Sequence, residues 1–238
     1  MDVPLRHTIQ QELFQIQAII EAARIHEQQT GDLKSLLAQQ LPSLHAAIKL
    51  PNHNSVEALH TFIVDYIKHV PQFIEAINGM AQDANIDEPA SYVLEIASNF
   101  FLDPPQLMEA HTGMQALMDE SYLAHRLIEE VNDRFIAMCG QPLAPMDMTR
   151  SNLIIHYLIG EPFANELDSA VQYSVDLIMA RHSDMQSEAF QAYIEEHQNN
   201  GWQKEINRWP CLAEDLSIHL NFNNLPGSDS SRPKNILN

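Results

Sequence analysis

From Thr8 to about Gln29, the apolar residues Ile9, Leu13, Ile16, Ile20 and Ala23 return every three or four positions, the repeat that places them on one side of an α-helix. Gly31 stands where a helix commonly stops. Asp32 can cap a second helix running to about Lys49, bent or broken near Pro42, and Pro51-Asn52-His53-Asn54 reads as a connection. Ser55 is a good N-cap for a helix with Val56, Leu59, Ile63, Ile67 and Val70 on its buried side. Pro71 either kinks that helix or begins a new one through Ile74, Ile77 and Met80. Pro89 suits the first turn of the next helix, whose inward face is Tyr92, Val93, Ile96 and Phe100.

Asp103-Pro104 is another start signal, and it opens the longest periodic stretch, about 104–139, which ends at Gly140. Leu107, His111, Met114, Met118, Tyr122, His125, Ile128, Glu129, Asn132, Ile136 and Cys139 fall on one side of it. Thr112-Gly113 offers a break, so the pattern does not require a single rod. After a loop from Gln141 to Met148, the segment at about 149–159 is apolar around nearly its whole circumference, the pattern of a helix central to a bundle. Gly160 and Pro162 form a corner before an amphipathic helix with Phe163, Leu167, Ala170, Ser174, Leu177 and Ile178. Ser183 caps a helix carrying Met185, Phe190, Tyr193 and Ile194, and Trp202, Ile206 and Trp209 read as a short docked piece. Leu212 to Leu220 reads as one last helix.

Strand alternation is nearly absent, and no internal repeat appears. The expected fold is therefore all-α: a closed multi-helix bundle forming a single domain over 1–220, with 221–238 as a flexible polar tail.

Composition narrows the partners. The formal net charge is −19, from 32 acidic residues against 13 basic ones, and no segment gathers its Lys and Arg. Nucleic acid and anionic membrane surfaces attract basic clusters, so neither is an expected partner. The two cysteines, Cys139 and Cys211, lie far apart in no CxxC pairing, which fits a reducing compartment. With no secretion signal at the N-terminus and no membrane-length apolar run, the expected address is the cytoplasm.

Candidate chemistry begins with His125, Glu129 and Asn132, on the inward side of the long helix at spacings of four and three. His156 is the strongly polar side chain of the apolar helix and faces the same need for a partner. Either these groups form a hydrogen-bond network that fixes helix register, or His125, Glu129 and His156 line a metal or small-ligand site. Glu57 and His60 add a Glu-x-x-His pair of the kind found in carboxylate-bridged di-iron bundles. Those bundles need the pair twice, and no second copy occurs. In a metal site, His125, His156 and His60 would ligate through neutral imidazole nitrogens, and Glu129 and Glu57 through carboxylate oxygens. Iron or another transition metal is the corresponding cofactor.

No Gly-rich phosphate loop, nucleophile elbow, Ser-x-x-Lys or His-Glu-x-x-His motif is present, which argues against nucleotide chemistry. Met108, Met114, Met118, Met138, Met146 and Met148 gather around the long helix; methionines fill cores and also adapt to varied apolar ligands. Two readings follow. One is a non-catalytic module that binds another protein or an apolar small molecule; the other is a helical-bundle metalloenzyme of the iron-dependent oxidase or oxygenase type. A long helix with a wide apolar face also suits a homodimer.

Overall fold

The computed structural model describes residues 3–83, 87–108, 111–140, 147–181, 192, 195 and 218–221. Among them seven α-helices pack together: α1 (Val3–Thr30), α2 (Asp32–Gln40), α3 (Ser55–Asp83), α4 (Asp87–Leu102), α5 (Gly113–Cys139), α6 (Thr149–Ile159) and α7 (Phe163–Arg181). The all-α, multi-helix class expected from periodicity is the fold. Among the described residues no helix is long and apolar enough to cross a membrane.

The three-to-four spacing translates directly into burial. Ile9, Leu13, Ile16 and Ile20 of α1 are all buried, and α3 buries Leu59, Ile63, Ile67 and Val70 together with Phe62, Tyr66 and Phe73. Pro71 lies inside α3, which continues to Asp83. Proline removes one backbone donor from a helix, but Pro71 is itself buried among neighbours that hold the rod together.

The long helix starts later than the sequence pattern implies. Asp103-Pro104 leads only to a 3-10 turn at Gln106–Met108, and α5 begins at Gly113, whose φ of 60° lies in the left-handed region. Glycine adopts that conformation without steric cost, so Thr112-Gly113 ends one path and begins another. Leu107 and Ile136, expected inward, are exposed. From Leu117 to His125 every residue of α5 is buried, because α1, α3, α4, α6 and α7 all pack against this helix. The apolar helix expected at about 149–159 is α6, packed on α5 and α7. The inward face of α4 is turned slightly from the expected one: Val93, Leu94, Ala97, Phe100 and Phe101 are buried, whereas Tyr92 and Ile96 are half-buried.

Two further expectations are corrected. The second helix stops at Gln40 and passes into a 3-10 turn at Leu41–Ser43, where Pro42 sits, so it does not reach Lys49. Ile48–Lys49 (β1) instead pairs antiparallel with His219–Leu220 (β2), with Ile48 opposite Leu220, and the Asn221 amide donates to the Ala47 carbonyl at 2.8 Å. His219 and Leu220 are thus strand, not the end of a helix from Leu212. Of the expected helix after Ser183 only Ala192 and Glu195 are described, both helical; the Trp202–Trp209 piece, residues 212–217 and the tail beyond Asn221 lie outside the described residues. Met108, Met114, Met118 and Met148 are buried and fill the core, whereas Met138 is exposed.

Candidate functional site

The polar residues that entered the apolar stripe of α5 meet a network supplied by three other helices. Asn152 of α6 is its centre: its Nδ2 donates to Glu129 Oε2 at 2.6 Å, and its Oδ1 accepts from the Tyr66 hydroxyl at 2.6 Å. Arg126, one turn before Glu129, donates through Nη1 to Glu129 Oε2 at 2.7 Å and through Nε to Asp168 Oδ1 of α7 at 3.1 Å. The Tyr122 hydroxyl donates to the same Asp168 oxygen at 2.9 Å. His156 Nε2 lies 3.3 Å from Asn165 Oδ1 and 3.5 Å from Asp168 Oδ2. Burial works against the charge on Arg126, but its bonds to Glu129 and Asp168 outweigh that and raise its pKa further. Burial, reinforced by Asp168, raises the pKa of Tyr122 and keeps its hydroxyl protonated. One cation, two carboxylates, two phenols and an amide thus bind α3, α5, α6 and α7 in one register.

His125 belongs to a different neighbourhood. Its Nδ1 lies 2.9 Å from the Ser121 carbonyl and its Nε2 3.0 Å from His69 Nδ1, while the Tyr66 ring sits 4.1 Å away between centroids. Burial, and the second imidazole beside it, hold the pKa of His125 well below the ordinary 6.5; burial pushes His69 down to about 4. Both rings are neutral at pH 7. Tyr66 is the link between this pair and the Glu129 network, with its face on His125 and its hydroxyl on Asn152.

A third group was invisible in the helical projection. Asp119 and Glu120, adjacent on α5, are both buried. Asp119 Oδ2 contacts His111 Nδ1, and its Oδ1 has no hydrogen-bond partner among the described residues. Burial pushes the Asp119 carboxyl up to about 6 although His111 pulls it down; burial and the Asp119 carboxylate push Glu120 up to about 8. At pH 7 Asp119 is ionised and Glu120 keeps its proton.

Glu57 and His60, the Glu-x-x-His pair, stand at a separate place, where α1, α2, α3 and α5 border a half-open cavity of about 330 Å³ lined by Arg24, Glu27, Gln28, Gly31, Lys34, His60, Val64 and Met114. The left-handed turn at Gly31 (φ 67°) breaks α1 from α2, and residues of both helices line the cavity. Glu27 of α1 then caps α2: its Oε2 accepts from the Leu33 amide at 2.9 Å and its Oε1 from the Lys34 amide at 3.2 Å. A carboxylate at a helix N-terminus satisfies orphan donors and meets the positive end of the dipole. His60 Nε2 lies 3.7 Å from Glu27 Oε1 and has no hydrogen-bond partner among the described residues. Burial, helped by Lys34 and opposed by Glu27 and Glu57, lowers the pKa of His60, so its imidazole is neutral at pH 7. The two cations at this cavity hold exposed carboxylates outside it, Arg24 with Glu21 at 2.6 Å and Lys34 with Glu57 at 2.9 Å. Val64 and Met114 are its apolar portion.

Of the five candidate ligands, Glu129 and His156 share a network through Arg126 and Asp168, His125 joins it only through Tyr66, and Glu57 and His60 belong to the cavity across α3. Among the described residues no three His, Cys, Asp or Glu side chains are arranged to hold a metal ion. Comparisons with protein-family models, with curated proteins and with solved structures find no match.

Proposed function

We propose that this chain is a cytoplasmic binding module, non-catalytic in itself, that holds a small organic anion with an apolar body in the cavity between α1, α2, α3 and α5. The observation that carries this reading is the composition of the cavity lining. Two cations stand against one carboxylate in a chain of net charge −19, and that carboxylate, Glu27, is already committed to the α2 amides. Its volume of about 330 Å³ lies at the lower end of small-molecule sites.

A ligand carboxylate would be recognised between Arg24 and Lys34. Their present partners, Glu21 and Glu57, are exposed, and such surface pairs contribute only about 0–1 kcal/mol, so exchanging or sharing them costs little. Neutral His60 stands in the wall beside them with its Nε2 buried, so it shapes the cavity without adding charge to it. Val64 and Met114 receive the apolar body, and a methionine adapts its shape to what it meets.

Octanoate is the probe that tests this, by titration calorimetry on the full chain. Saturable binding is expected, weakened at least tenfold in the Arg24→Ala/Lys34→Ala double variant, the loss expected when about 1.4 kcal/mol or more of charge recognition is removed. A Met114→Trp change, which fills the apolar end, should weaken it as well. Absence of saturable binding, or binding indifferent to both changes, contradicts the proposal.

A further inference from the structure

The side of α1 turned away from the core carries no charge although the chain is strongly acidic. At 100° per residue the buried Ile9, Leu13, Ile16, Ile20 and Glu27 define one side. Diametrically opposite, Gln11, Phe14, Gln15, Ala18, Ala22, Ile25 and Gln29 are all exposed, with Phe14 at 72% and Ile25 at 47%. The strip contains no charged residue. Beside it Glu21 and Arg24 cancel in an ion pair at 2.6 Å. Solvent-facing helix surfaces normally carry charge, and this one carries none from Gln11 to Gln29.

We infer that α1 pairs antiparallel with the α1 of a second copy of this chain, through the strip from Gln11 to Gln29. Three features select this occupant. Apart from Gln15 the strip reads alike in both directions: Gln11 and Gln29 at its ends, then Phe14 and Ile25, with Ala18 and Ala22 between them. Antiparallel pairing about a two-fold axis near residues 19–20 sets Phe14 against Ile25 and Ala18 against Ala22, the self-complementarity that an isologous contact requires. The alanines allow close approach where the helices cross.

Charge is the second feature. Two chains of net charge −19 repel each other over most of their surfaces, and α1's outer strip carries no charge of its own, while Glu21 at its flank is compensated by Arg24. The third is polarity of the helix: antiparallel rods set opposite dipole ends side by side, which parallel rods do not. At 28 residues α1 is about 42 Å long. A single such crossing buries on the order of 1,000 Å², the range of weak interfaces, so association should lie in the micromolar range or weaker.

Sedimentation of the full chain from about 1 µM to about 1 mM tests this. A reversible monomer–dimer equilibrium is expected, weakened at least tenfold in Phe14→Gln/Ile25→Gln. Both side chains are exposed, so the melting temperature of that variant should be unchanged, which separates lost association from lost folding. Direction is read from a spin label at Gln11→Cys in a chain with Cys139→Ser and Cys211→Ser. Antiparallel pairing places the two labels about 25 Å apart along the helix axis, and parallel pairing places them side by side. A chain monomeric throughout, a dimer indifferent to the double change, or adjacent labels would each overturn the inference.

Discussion

Glu120→Gln is expected to stabilise the protein at pH 8 by about 3–5 kcal/mol more than at pH 4.5. Burial and the neighbouring Asp119 push the Glu120 carboxyl from 4.5 up to about 8. The folded state therefore binds that proton more tightly than the unfolded chain does. Below pH 4.5 both states are protonated and the group costs nothing through ionisation; as pH rises from 4.5 to 8 the unfolded chain gains by releasing the proton, and stability falls. A glutamine keeps the shape and has no proton to lose. Denaturant melts of both proteins across this range measure the difference, and parallel pH profiles would contradict it. Asp119, raised from 3.8 to about 6, adds a loss of the same sign between those values. The His69–His125 pair acts oppositely. Their pKa values are depressed in the fold, so their contribution is intact above pH 6.5 and is lost as acid charges the unfolded chain's imidazoles.

Arg126→Met should cost about 2–4 kcal/mol, because it strands Glu129 and Asp168 without their shared cation. Partial exposure of Asp168 keeps this below the cost at a fully enclosed triad. Adding Glu129→Gln and Asp168→Asn to Arg126→Met removes the stranded charges, and most of the loss should return. Equilibrium unfolding of the single and triple variants checks this. A triple variant no more stable than the single one would mean that the arginine acts by packing and not by charge.

The sequence carried the helices more fully than the contacts between them. Apolar spacing placed α1, α3, α6 and α7 within a few residues, since one side of each faces a common core. The apolar repeat alone runs α5 back to about 104, and the break offered by Thr112-Gly113 is the one the positive φ at Gly113 makes. It missed β1 and β2 because a two-residue pair has no periodicity, and its partners lie far apart in the chain. The need of His125, Glu129 and His156 for buried partners was legible, but the partners themselves were not. Arg126 and Asp168 resemble ordinary surface charges until α5 meets α7, and Asn152 becomes a hub only because α6 turns it toward Glu129. A sharper signal was present in Asn152, a second polar group on a nearly all-apolar helix. The Glu-x-x-His spacing puts Glu57 and His60 on one side of α3, but it does not show that Glu57 pairs with Lys34 or that His60 stands in the wall of a cavity formed with α1, α2 and α5.

Backbone amide chemical shifts recorded during an octanoate titration test the binding reading most directly. Saturable movement at Gly31, Lys34, His60 and Val64, with the Tyr66–Asn152 region unmoved, is the predicted result. Shifts confined to other helices, or none at millimolar ligand, would contradict it.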